Sequence, residues 1–181
     1  MSRPMTDPML EQLCAERYGN LVAFATMLTG SRDAAQDLVH DALIAVFSRR
    51  RSFPSLNAAD AYVRTAIATR YIDAGKKAAN RRSSEHRFAS LRSAGVPDAV
   101  PGDPDLTRVL GLLPPRVRAC IVLRYLEDCS ISQTAGALNL SEGSVKRYVS
   151  DGLAVLNREL GLAEALDAPP RVQVHERGDR P

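Results

Sequence analysis

Apolar residues recur along this chain at helical spacing, in blocks bounded by helix punctuation. Asp7-Pro8 reads as an N-cap followed by proline at the first helical position, where its missing N–H costs nothing. Leu10, Leu13, Leu21, Ala25 and Leu28 then fall near one face, and Gly30 offers a left-handed stop. Ser31 caps a second predicted helix with a buried stripe of Ala35, Leu38, Ala42 and Val46. Arg49, Arg50 and Arg51 suit the negative end of that helix's dipole, and Phe53-Pro54 breaks it. A third helix is expected from about Asn57 to about Arg82, with Val63, Ala66, Ile67 and Ala74 inward and Gly75 as a weak point. Three such helices can share one small core, which sets a first domain at 8–82.

Periodicity lapses over 83–104, where Ser, Gly and Pro accumulate, and this stretch is expected to be a flexible linker. Asp103-Pro104 repeats the opening cap, a short helix follows to about Leu113, and Pro114-Pro115 interrupts it. The next helix is expected from about Arg116 to Leu126, with Val117, Cys120 and Ile121 inward. The second domain then spans 105–163, and 164–181 is expected to be a disordered tail. No alternating strand pattern appears. The predicted class is all-α: two small helical domains joined by a flexible linker.

The densest signals lie in 130–160. Ser130 and Gln133 form a Ser-x-x-Gln capping box, with Ala135 and Leu138 inward on the helix it opens. Asn139 stands where the chain must turn tightly, a place for positive φ. Leu140 plugs the corner, and Ser141 caps a helix whose buried stripe is Val145, Val149, Leu153, Leu156 and Leu160. Gly143, Ser144, Lys146, Arg147 and Ser150 are left outside. Two short helices joined by a tight turn are a helix-turn-helix, whose second helix can enter a major groove. Small residues permit close approach, and an Arg supplies a fork suited to guanine.

Charge sharpens this picture. The net charge is only +3, but residues 1–45 hold six acids against three arginines. Residues 64–92 reverse the sign: Arg64, Arg70, Lys76, Lys77, Arg81, Arg82, Arg87 and Arg92 face only Asp73 and Glu85. A chain divided this way suits two partners, one of them polyanionic. Cys14, Cys120 and Cys129 have no metal-ligand spacing and read as buried thiols of a cytoplasmic protein. His40, His86 and His175 have no catalytic companions, so neither an enzyme nor a metal site is expected. No apolar run approaches the roughly 20 residues a membrane span needs, and Met1–Pro8 has no signal-peptide pattern.

The segment LLPPRVRACIVLRYLEDCSISQTAGALNLSEGSVKRYVSDGLAVLNREL, Leu112 to Leu160, resembles the promoter-binding region 4 of extracytoplasmic-function (ECF) sigma factors of the sigma-70 family. RDAAQDLVHDAL (Arg32–Leu43) and AYVRTAIATRYID (Ala61–Asp73) are similar to the polymerase-binding helix and the minus-10-facing helix of region 2 in that family. The matches span most of residues 10–160 in family order. The resemblance implies a subunit that directs promoter-specific initiation by binding core RNA polymerase and promoter DNA. Region 2 would dock on the coiled-coil of the largest polymerase subunit through Asp33, Asp37, His40 and Asp41, the acids repeating every fourth residue. The minus-10 element would meet Phe53, Asn57, Tyr62, Thr69, Arg70, Lys76, Lys77, Arg81 and Arg82, with a base-recognition loop over Phe53–Asp60. The minus-35 element would meet Ser141, Gly143, Ser144, Lys146, Arg147 and Ser150. An anti-sigma factor is a further implied partner; no cofactor is implied.

The chain departs from the family pattern in four places. Thr69 stands where Asn is common, His40 where Gln is, Asn139 where Gly is, and Ala74-Gly75 where residues are bulkier and more basic. The alternative reading is a helix-turn-helix regulator that is not a polymerase subunit, and a helical interaction protein is a third. Lys146, Arg147 and Arg158 are offset by Glu142, Asp151 and Glu159, so isolated modules should bind DNA weakly. Tethering two weak sites can raise avidity by roughly 10²–10⁴.

Overall fold

The computed structural model describes residues 7–49, 52–85 and 104–161, with side chains of 80–85 and 104 left aside. Among the described residues there are seven helices and no strand. None of them is long and apolar enough to cross a membrane.

The caps act where the sequence puts them. Helix α1 (Pro8–Thr29) opens on the Asp7 side chain, which accepts from the Met9 N–H at 2.9 Å, and stops at Gly30 with φ 76°. Ser31 caps α2 (Arg32–Phe47) by accepting from the Ala34 N–H. Helix α3 (Leu56–Glu85) is capped by Ser55, which accepts from the Ala58 N–H at 3.2 Å. It starts one residue before the expected Asn57, so residues 56–60 of the base-recognition loop that the resemblance implied over Phe53–Asp60 are helical. Expected last-turn arginines follow α2 instead: Ser48 is its C-cap, Arg49 lies beyond it exposed, and Arg50 and Arg51 fall outside the described residues.

Helices α1, α2 and α3 pack pairwise around Leu13, Leu21, Leu28, Val39, Val63 and Ile67, all fully buried. Because α2 touches both neighbours, it buries a wider face than one stripe, and Val39 and Leu43 go inside while Leu38 is only half-buried. On α3, Ala59, Ala68 and Ile72 are buried; Ala66 is half-buried, and Ala74, expected inward, is exposed. Cys14 is exposed on α1 and Cys129 half-buried, so only Cys120 fits the expectation of buried thiols.

The second group comprises α4 (Pro104–Gly111), α5 (Pro115–Tyr125), α6 (Ile131–Leu138) and α7 (Glu142–Glu159). Asp103, expected to cap α4, lies outside the described residues, as do 86–102 and 162–181. The centre is α5, which has Val117, Cys120, Ile121 and Val122 buried and touches α1, α3, α6 and α7. Gly152 lets α7 close on it: a Cβ there would lie 2.7 Å from Ile121 Cγ1 and 3.0 Å from Val117 Cγ1. The two groups also pack against each other. Arg118, 5% exposed, donates from Nε to the Met27 carbonyl at 2.7 Å and bonds the Tyr71 hydroxyl. Gly75 accommodates Pro115, whose Cγ would sit 2.6 Å from an added Cβ. This close approach, rather than helix weakness, is what Gly75 provides.

Candidate nucleic-acid and docking surfaces

The tip of the helix-turn-helix is built by local hydrogen bonds. Ser130 Oγ accepts from the Gln133 N–H at 3.1 Å, and Gln133 Oε1 accepts from the Ser130 N–H at 2.7 Å. Thr134, fully buried, satisfies its hydroxyl on the Ser130 carbonyl. Asn139 takes φ 52°, ψ 51°, and the next N–H, of Leu140, returns to the Ala135 carbonyl at 2.9 Å. Ser141 then caps α7 by accepting from the Ser144 N–H, and the two serine hydroxyls lie 2.9 Å apart. Val145 and Leu156 are buried, while Val149, Leu153 and Leu160 pack partly buried against the core.

That packing fixes what α7 turns outward. Ser141, Gly143, Lys146, Arg147 and Ser150 are exposed and Ser144 is half-buried, so the expected minus-35 residues share one surface. Tyr148 joins them although the sequence reading passed over it. The Arg147 guanidinium lies 5.1 Å from its ring centroid, and hydrogen bonds from Arg116 and Arg147 pull its phenol below the ordinary range. Arg116 and Arg147 are 31 positions apart, so only the fold reveals their shared target.

On the first group, Tyr62, Thr65, Thr69, Arg70 and Asp73 of α3 line a groove of about 420 Å³ with Ala45 and Arg49. The hydroxyls of Thr65 and Thr69 donate to the carbonyls of Ala61 and Thr65, leaving their oxygens to accept. Arg70 and Lys77 are exposed, and Lys76 pairs with Asp73 at 3.1 Å. Arg81 and Arg82 belong to α3, but their side chains lie outside the described residues.

Phe53 and Asn57, also expected at the minus-10 element, have structural partners as well. Phe53 is wedged between Phe47 and Tyr62, each ring centroid 5.6 Å away, so it braces the turn before α3. Asn57 accepts from Arg17 Nη2 at 3.3 Å. Tyr62, 37% exposed, presents an edge to solvent. Arg64, counted in the basic stretch, is turned inward: it binds Asp60 at 2.8 Å, reaches Glu127, and lies 5.5 Å from the Phe24 ring centroid. Burial pushes the Glu127 carboxyl up from its ordinary range, and Arg64 opposes this.

The acidic ladder is placed as its period requires. Asp33, Asp37, His40 and Asp41 are all exposed along α2. Ile44, 55% exposed, follows His40 by one turn. Beside it an apolar groove of about 400 Å³ is lined by Leu10, Cys14, His40, Leu43 and Phe47. An exposed Ile after an acidic face is a signal the sequence carried and the reading missed.

Residues 105–156 match the family described as Sigma-70, region 4. The chain is 30% identical over 173 residues to an RNA polymerase sigma-E factor of Streptomyces avermitilis, covering 94% of this chain and 93% of the relative. It is 32% identical over 161 residues to an RNA polymerase sigma-E factor of Streptomyces coelicolor, covering 87% and 89% respectively. Among solved structures it is similar to the sigma factor RpoE of Bartonella quintana, in co-crystal with the anti-sigma factor NepR. The TM-score there is 0.66 at 22% identity, over 84% of this chain and 96% of that one.

Proposed function

The chain belongs to the ECF sigma factors of the sigma-70 family, and from that premise we infer how its surfaces divide the work. It is an RNA polymerase sigma factor: it binds core polymerase and promoter DNA and directs promoter-specific initiation. The chemistry of RNA synthesis is the polymerase's, and we assign this chain the role of a non-catalytic subunit working in the cytoplasm.

The observation that carries the residue-level reading is the exposed, unbroken outer face of α7 behind a satisfied turn. We assign the minus-35 element to Gly143, Lys146, Arg147 and Ser150, with Ser141 and Ser144 holding the helix start that brings backbone N–H groups near phosphate. The minus-10 element is assigned to the α2–α3 groove. Tyr62 is the stacking candidate, Thr69 and Thr65 are acceptors, and Arg70, Lys76 and Lys77 are phosphate anchors that position DNA without reading it. Phe53 and Asn57 support this groove rather than touch a base. The face of Asp33, Asp37, His40 and Asp41 is assigned to the polymerase coiled-coil, and an anti-sigma factor is proposed as a regulator.

Run-off transcription on genomic fragments tests the function. Core polymerase plus this chain initiates at discrete sites, and neither component alone does. Nanomolar promoter binding by the pure chain at physiological salt would refute the tethered, two-site reading.

A further inference from the structure

Neighbouring residues of a helix do not face each other, because successive side chains are about 100° apart around the axis. The Arg147 guanidinium nevertheless lies 5.1 Å from the Tyr148 ring centroid, so its side chain is drawn round α7 towards the next residue. Tyr148 is itself held by the packing of α7 on α5. It is half-buried against the core and stands one turn before Gly152, where α7 closes on Val117 and Ile121. Arg116, exposed in the first turn of α5 beside Val117, reaches the same tyrosine. The phenol oxygen accepts from both guanidinium groups, and Arg116, Val117, Arg147 and Tyr148 line one crevice of about 590 Å³.

Charge at this point is out of balance. Among the described residues neither Arg116 nor Arg147 is in an ion pair. Asp151 and Lys76 line the same crevice, but Asp151 pairs with neither arginine and Lys76 is taken by Asp73. Two guanidinium groups that share an oxygen and no carboxylate repel each other, and an approaching polyanion relieves this. A phenol therefore does what a carboxylate would not: it gathers the arginines without neutralising them, and their charge stays available to DNA. An exposed arginine loses many rotamers when it binds, and one already held loses fewer. The bracket lies wholly on α5 and α7, within the second group of helices.

We propose that Tyr148 is a positioning residue for minus-35 recognition: it links Arg147 to Arg116, so that α5, the buried centre of the group, sets the aim of the arginine that reads the base. This role rests on the minus-35 assignment of Arg147 above.

Tyr148→Phe keeps the ring beside the Arg147 guanidinium and removes only the accepting oxygen. Arg116→Ala cuts the same link from the other helix, at an exposed position outside the assigned minus-35 residues. Core polymerase is loaded with each full-length chain and initiates on promoters randomised across the minus-35 element, each marked by a transcribed barcode that is then sequenced. The position whose base preference is lost in Arg147→Ala is the one Arg147 reads. There, Tyr148→Phe is expected to lower the preference about two- to tenfold, the scale of one hydrogen bond, and to leave the other positions unchanged. A loosened fold would not single out one position. Arg116→Ala lowers the preference at that same position, and the double variant falls no further than Tyr148→Phe alone, since both changes cut one link. A preference unchanged in Tyr148→Phe, a loss spread evenly over the minus-35 positions, or an additive double variant overturns the role. If Arg147→Ala leaves every preference untouched, the minus-35 assignment itself falls and takes the role of Tyr148 with it.

Discussion

Replacing Gly by Ala at two positions of the helix-turn-helix should change stability in opposite senses. Gly136 sits on the exposed side of α6 with nothing within 4 Å of an added Cβ. Ala there gains helix propensity, about 0.8–1.0 kcal/mol, with nothing against it. Gly152 on α7 is buried, and its added Cβ would meet Ile121 Cγ1 at 2.7 Å, Ile121 Cδ1 at 2.9 Å and Val117 Cγ1 at 3.0 Å. Both residues are themselves packed, Ile121 2% and Val117 7% exposed, so relief requires α7 to lift from α5. Overpacking of this kind costs about 1–3 kcal/mol, against the same propensity gain. The net is a loss of about 0–2 kcal/mol, and the two variants should differ by about 1–3 kcal/mol in urea unfolding of the full chain. Gly152→Ala should also weaken minus-35 binding, because lifting α7 re-aims Lys146 and Arg147. If Gly152→Ala stabilises the chain as much as Gly136→Ala, the α5–α7 contact has slack and the close-approach argument is wrong.

Asp37→Arg should weaken core-polymerase binding at least tenfold while changing stability by no more than about 0.5 kcal/mol, as befits an exposed helix charge; unchanged affinity in a titration would make the ladder merely a solvated face. Arg147→Ala should cost about 1–3 kcal/mol and relax preference at one or two minus-35 positions. Lys77→Ala should instead weaken all promoters alike and lower the salt slope by about one. A uniform loss from Arg147→Ala would make it a phosphate clamp. Burial pushes the Cys120 thiol up to about 11 from an ordinary 9.0. A raised thiol pKa stabilises the fold fully below the unfolded value, and the contribution fades as pH climbs from about 9 through about 11. Urea midpoints should thus fall more steeply over that window for the native chain than for Cys120→Ala, and parallel slopes would refute the burial argument.

Local signals in this sequence were legible because their partners are two or three residues away. Asp7, Ser31, Ser141 and the Ser130–Gln133 pair cap helices with their own side chains, and Asn139 takes positive φ as the turn requires. The ladder on α2 was legible for the same reason, since a four-residue period names a face. What a face meets is another matter. Arg64 looks like one more base in a basic run until Glu127, 63 positions on, is beside it. Gly75 looks like a weak helix position until Pro115 arrives, and Phe53 like a lone ring in a turn until Phe47 and Tyr62 pack on it. Leu38 and Ala74 were misplaced because helical periodicity locates a stripe, whereas its width and centre depend on how many neighbours the helix has.

The division of labour along α7 has an evolutionary corollary. Val145, Gly152 and Leu156 anchor the helix, while Gly143, Lys146, Arg147 and Ser150 have no share in its burial. Substitutions at the second set therefore leave folding nearly untouched, and the turn before them is closed by Ser130, Gln133, Asn139 and Ser141 whatever they are. On the minus-35 assignment proposed for these residues, a duplicated gene for such a chain would acquire a new set of target promoters by drifting at a few outward codons, without first passing through an unstable protein.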